Sequence, residues 1–179
     1  MRKKLCKNLI VPEEIEMINK IRWSVVCLVM HEDRILIGKM KKDSPKKLAG
    51  KQHLPGGDVK EEDYLVVENS PFENLFFNMI EQAVKRIIEQ TVGLSVKLDD
   101  LPQVNNRTKI QEGEIVCIFW CPCKLTEGSS DELIIGPESD LEEAEWINLK
   151  RDVVLNRIDR QAFSKMPQSV ISFLMSKSI

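Results

Sequence analysis

Between Ser70 and Gly93 the apolar residues recur every three to four positions, and that spacing predicts a single long amphipathic helix. Ser70-Pro71-Phe72-Glu73 reads as its start, with Ser70 at the N-cap, Pro71 at the first helical position and Glu73 closing a capping box. Gly93 reads as its stop. Phe76, Phe77, Ile80, Ala83, Val84, Ile87 and Ile88 form the apolar arc, opposite Asn78, Glu81, Gln82, Lys85 and Glu89. Such a helix is stable only when a second layer covers its stripe.

The flanking sequence supplies that layer as strands. Trp23–Met30 (WSVVCLVM) is an apolar, β-branched run, His31-Glu32-Asp33 a polar turn, and Arg34–Met40 (RILIGKM) the returning strand. After a Lys-rich loop over 41–51, Gln52–Leu54 enters the turn Pro55-Gly56-Gly57, where glycine is expected to supply conformations closed to other residues. Asp58–Asn69 is acidic and aperiodic, and is expected to be a mobile loop over that turn. Further strands are expected at Leu94–Leu98, around Val104–Ile110, at Glu114–Leu125 and at Glu142–Asn148. Helices are expected near Asp152–Arg157 and Pro167–Ser176. Residues 1–21 form an N-terminal extension, and 22–179 one domain with an insertion at about 58–70.

Composition bounds the function. The 26 basic and 28 acidic residues leave a net charge of −2, which gives no basis for nonspecific nucleic-acid binding. No apolar run is long enough to span a bilayer, and Pro12, Glu13, Glu14 and Glu16 interrupt any signal-like start, so a cytoplasmic location is expected. The five cysteines are irregularly spaced and read as structural thiols. Cys117 and Cys121 share a strand face but lie about 13 Å apart when extended, too far to share one metal ion.

His53-Leu54-Pro55-Gly56-Gly57, together with Ala83, Arg86, Ile88, Gly93 and Leu94 at matching spacing, resembles the Nudix hydrolase family. The family's signature is G-x5-E-x7-R-E-U-x-E-E-x-G-U, with U a bulky aliphatic residue. The resemblance implies an α/β/α sandwich with a mixed sheet. It also implies a pocket in which helix carboxylates gather Mg²⁺ or Mn²⁺ to neutralise a diphosphate and activate water. On that footing Gly56, Gly57, Arg86 and His53 are the expected substrate-binding residues, and the Gly56 carbonyl is an expected metal contact if a metal binds. A nucleotide derivative is the implied partner, with no membrane and no specific nucleic acid; a homodimer is left open.

Two departures bear on activity. Gly57 and Arg86 are 29 positions apart where the signature allows 14, an excess of 15 residues. With Arg86 fixing the register, the carboxylate positions carry Ile87, Gln90, Thr91 and, earlier, Asn78. At roughly 100° per residue from Arg86, positions 87, 90 and 91 lie near 100°, 40° and 140°, whereas Glu89 and Glu81 lie near 300° and 220°. Neither glutamate can substitute. The remaining candidates for catalytic carboxylates are Glu61 and Glu62, with Asp63, after the glycines, and Glu138 and Glu142, with Asp140 and Glu143, in a late acidic loop. The expected function is therefore a Nudix-like domain that binds a nucleotide or nucleoside-diphosphate derivative with lost or weak hydrolysis. The alternative is a divergent Mg²⁺-dependent pyrophosphohydrolase with relocated carboxylates. Arg107 and the lysines 39, 41, 42, 46, 47, 51 and 60 are candidate phosphate contacts, set against the plainer reading of a solvated surface.

Overall fold

The computed structural model describes residues 21–46, 48–65, 75–100, 102–104, 109–111, 114–150, 157–158, 166 and 168–176. Within these, strands β1 (Ile21–His31), β2 (Arg34–Met40), β3 (Gln52–His53), β4 (Gly56–Asp58), β5 (Val96–Leu98), β6 (Gln103–Val104), β7 (Lys109–Gln111), β8 (Glu114–Leu125) and β9 (Leu141–Asn148) join one sheet. The helices are α1 (Glu61–Leu65), α2 (Leu75–Val92) and α3 (Gln168–Ser176). Ser70–Glu73, Arg107, the expected helix near Asp152 and the side chains of Phe76 and Phe77 lie outside the described residues.

The sheet is mixed. β1 runs parallel to β8, from Ile21 opposite Ile115 to Met30 opposite Lys124, and antiparallel to β2 and β4. β9 pairs antiparallel with β2. Both faces are covered, as the near-continuous apolar run of β1 requires. On one face α2 packs Met79, Ile80, Ala83, Val84, Ile87, Ile88 and Val92 against Val25, Cys27, Val29, Leu36 and Phe119. On the other, Val170 and Leu174 of α3 cover Leu28, Ile35, Ile37 and Trp120. This is the expected α/β/α sandwich. Ile80, Val84 and Ile88 are fully buried, and each contributes about 1.5–3 kcal/mol by leaving water.

The helix stop behaves as its residue type dictates. Gly93 has φ +71° and its N–H donates to Glu89 O at 2.9 Å. The turn between β1 and β2 is tight, with Glu32 at φ 54°. The expectation for 58–69 needs correcting in its first part. Asp58 belongs to β4, paired with Ser24, and Glu61–Leu65 is helical. A short segment of charged residues has no periodicity to reveal either element.

Candidate functional site

The turn at Gly56-Gly57 is set by how closely it lies on β1. A Cβ at Gly56 would stand 2.5 Å from Val25 O and 3.2 Å from Val26 Cα, so any larger residue would lift β4 off the sheet. Close approach, and not positive φ as the turn chemistry suggested, is the reason for glycine here; the described glycines with positive φ are Gly50, Gly93 and Gly128. Gly57 faces α2, its Cβ position 3.3 Å from Ile87 Cδ1. The turn therefore meets the helix at position 87, where the chain has a buried isoleucine, 6% exposed.

Arg86 ties the two together. Its Nε donates to Asp63 Oδ1 at 2.8 Å, and its Nη2 to Asp63 Oδ2 at 2.7 Å and to Asp58 O at 3.0 Å. Glu62 lies 3.2 Å from Nε. The hydrogen bonds to Asp63 raise the guanidinium pKa above its ordinary value. Asp63 is 2% exposed and also accepts from Lys60 N at 2.8 Å, while its own N–H donates to Lys60 O, so it caps α1 as well. Of the three acidic residues expected from sequence as carboxylates just after the glycines, Asp63 is the buried one that pairs with Arg86. Counted forwards from Gly57, Asp63 stands at G-x5-D.

The third wall is the loop from Asp131 to Asp140, laid across the C-terminal end of α2. Ile134 N donates to Val92 O at 3.0 Å and Gly136 N to Thr91 O at 3.1 Å, satisfying carbonyls that a helix end leaves unpaired. Asp131 fixes the far end, accepting from Arg34 Nη2 at 3.1 Å and, through its carbonyl, from Trp146 Nε1 at 2.9 Å. The Lys-rich segment fixes the near end. Lys46 pairs with Asp140, Lys41 Nζ donates to Ser139 O at 2.7 Å, and Lys39 pairs with Glu142 at 2.5 Å and Glu143 at 3.1 Å. The bond to Lys39 holds the Glu142 carboxyl below its usual range. Lys39 and Lys46 of the basic run thus pair with Glu142, Glu143 and Asp140 of the acidic one.

A Cβ at Gly136 would lie 1.9 Å from Gln90 O, a backbone atom with no freedom to retreat. Gly136→Ala is thus expected to lift the loop from α2 and widen the cleft. Faster amide exchange at Ile134 and Gly136, with the β1–β8 amides unchanged, is the readout. Unchanged exchange throughout would show that the loop is not seated on Gln90.

These walls enclose a cleft of about 310 Å³, at the lower end of the range for small-molecule sites. It is lined by Met40, Lys46, His53, Gly56, Gly57, Asp58, Lys60, Arg86, Ile87, Gln90, Thr91 and residues 138–141. The structure thus brings together the four expected substrate-binding residues, Gly56, Gly57, Arg86 and His53, with Glu138. It does not bring in Glu61 or Glu62, which are exposed on α1, or Glu142, which is bound to Lys39. Among the described residues no three His, Cys, Asp or Glu side chains converge to hold a metal ion. With Ile87 against Gly57, the donor set on this helix face does not fit the oxygen cage of a divalent ion.

His53 is 8% exposed, and burial lowers its pKa from 6.5, with Lys46 adding to that effect and the bond to Leu54 O opposing it. The folded chain therefore resists protonation while the unfolded chain accepts it. The stability due to neutral His53 is complete above pH 6.5 and is lost as pH falls through the lower folded value. Unfolding free energies of the parent should drop more steeply over that window than those of His53→Gln; parallel curves would contradict it.

Among the described residues, Cys27, Cys121 and Cys123 are buried free thiols and Cys117 is half-buried. Cys123 Sγ donates to Cys121 O at 3.0 Å, and burial pushes the Cys121 thiol pKa well up, as the bond to Cys123 and burial do for Cys27.

No family model matches the sequence, and no curated protein does. Solved structures do match. A MutT NUDIX hydrolase from Burkholderia pseudomallei superposes with TM-score 0.51 at 22% identity, over 81% of this chain and 95% of that one. A bifunctional NMN adenylyltransferase/ADP ribose pyrophosphatase from Francisella tularensis, solved with AMP and a Mn ion, gives TM-score 0.57 at 16% identity, over 88% of this chain and 42% of that one. A NUDIX-family hydrolase from Clostridium perfringens gives 0.52 at 14%, over 87% and 95%. The chain has the Nudix hydrolase fold. No described helix is long and apolar enough to cross a membrane.

Proposed function

We propose that this chain is a Nudix-like domain that binds a nucleotide or nucleoside-diphosphate derivative, with lost or weak hydrolysis. The observation that carries the reading is the position of Ile87 beside the turn, where a Cβ at Gly57 would stand 3.3 Å from Ile87 Cδ1. It supports a formed cleft whose helix wall presents Ile87, Gln90 and Thr91, none of which bears charge. Lys46, paired with Asp140, and Lys60, 3.7 Å from Glu62, stand on the lining, where an anionic ligand would compete with those carboxylates for them. Gly56 and Gly57 allow close approach of backbone to that ligand, and His53 lines the same cleft. Arg86 acts mainly by holding the turn and α1, since Asp63 already matches its charge. The reading carries a cytoplasmic location and leaves a homodimer open.

A divergent Mg²⁺-dependent pyrophosphohydrolase is the second reading. It is favoured by the presence of Asp58, Glu138 and Asp140 on the same lining. Against it, Asp58 accepts from Ser24 and Asp140 is paired with Lys46. Calorimetric titration with ADP, ADP-ribose and UDP-glucose, in Mg²⁺ and in chelator, tests the first reading. Saturable binding of at least one of them in chelator is expected. Binding only with Mg²⁺ favours the second reading, and no binding in either condition overturns the first.

A further inference from the structure

We infer that Gln90 is a specificity-determining residue, whose side-chain amide reads an uncharged ligand group that both donates and accepts hydrogen bonds: the edge of a base or a sugar hydroxyl. This deepens the nucleotide-binding reading and rests on it. Gln90 is exposed and lines the cleft. At about 100° per residue it shares a helix face with Arg86 and Ile87, which line the cleft as well. Its amide oxygen accepts and its NH2 donates. Among the described residues that amide has no hydrogen-bond partner, so both halves are open to a ligand.

An ionised phosphate is the poorer occupant of this wall. Its oxygens only accept, so it leaves the amide oxygen of Gln90 unpaired. The turn that carries Glu138 is also seated on Gln90. A Cβ at Gly136 would stand 1.9 Å from Gln90 O, and Ser139 N donates to Gly136 O at 3.0 Å. Glu138 lines the cleft, and among the described residues no cation pairs with it. Its charge opposes a phosphate set down beside Gln90, and no described cluster of carboxylates gathers a metal ion to offset it. An uncharged group escapes that repulsion and uses both halves of the amide, as when glutamine pairs with the amine and ring nitrogen of adenine. The phosphates would face Lys46, from the loop after β2, and Lys60, just after β4, in competition with Asp140 and Glu62.

Calorimetric titration of the full chain with ADP tests this on the parent, Gln90→Leu and Gln90→Lys. Both changes put a good helix former at an exposed position, so Tm should stay within about 2 °C of the parent. Gln90→Leu should weaken ADP about tenfold. Gln90→Lys should weaken it too, despite its added charge, because an ammonium only donates. Inosine diphosphate, with a carbonyl in place of the adenine amine, and 2′-deoxy- and 3′-deoxy-ADP separate the base from the sugar. At least one of them should bind the parent about threefold or more weakly than ADP, and that difference should vanish in Gln90→Leu. Binding of ADP by Gln90→Lys as tightly as by the parent, or more tightly, would put the phosphates on this wall and overturn the inference. A loss under about threefold in Gln90→Leu overturns it and leaves the nucleotide reading standing. So does binding of all the analogues within about threefold of ADP, or a difference that Gln90→Leu leaves unchanged. Failure of ADP to bind the parent overturns the inference, and failure of ADP-ribose and UDP-glucose as well overturns the reading beneath it.

Discussion

Arg86→Met is expected to destabilise the domain by about 3–5 kcal/mol, among the largest effects of any single change outside the core. The change strands Asp63, a carboxylate 2% exposed whose guanidinium partner sits at 2.7 Å. A buried charge left alone costs far more than the pair contributed. The double change Arg86→Met, Asp63→Leu should therefore regain much of the loss, although α1 would still lack its cap from Asp63 to Lys60 N. Urea titrations of the four proteins give the coupling directly. If Arg86→Met costs under about 1 kcal/mol, the pair is an exposed one and does not hold α1 on α2.

The second large effect is at the helix wall. The triple change Ile87→Glu, Gln90→Glu, Thr91→Glu places a carboxylate where Ile87 lies beside Gly57 and two more within a turn of it. Without metal the protein should lose about 3 kcal/mol or more, from burying charge and from mutual repulsion. Because the turn already meets the helix at this point, the three carboxylates should share a weak divalent site. At tenfold excess of Mg²⁺ over a millimolar Kd, binding stabilises by about 1.4 kcal/mol, or a rise of roughly 3–5 °C in Tm. The parent should show no such rise. A triple variant blind to Mg²⁺, Mn²⁺ and Ca²⁺ would mean that the turn and helix do not frame a metal site even when charge is restored.

The legible part of this molecule is the part with a period. β1 and β2 are apolar runs bounded by a polar turn, and both fall within two residues of their expected limits. The buried stripe on α2 follows the expected residues from Ile80 to Ile88. What lacked a period was misjudged. Asp58 and Glu61–Leu65 are polar and short, so neither β4 nor α1 left a pattern. The Gly56-Gly57 turn was located from sequence, but the reason for glycine, a carbonyl of β1 beneath it, requires a neighbour from another strand. The same holds for the pairing of Lys39, Lys41 and Lys46 with residues 139–143, about a hundred positions away. Each run was visible, but their pairing depends on β9 returning beside β2. Asp63 was legible as one of three carboxylates after the glycines, but its pairing with Arg86 depends on α1 folding back against α2.

Steady-state release of phosphate-containing products from ADP-ribose and other nucleoside-diphosphate derivatives, with Mg²⁺, with Mn²⁺ and with chelator, tests the central claim most directly. The uncharged wall at Ile87, Gln90 and Thr91 predicts turnover at or near background that neither metal raises. Robust turnover that requires Mg²⁺ in the unmodified chain, abolished by Glu138→Gln or Asp58→Asn, would contradict that account and establish a hydrolase that uses other carboxylates of the cleft lining.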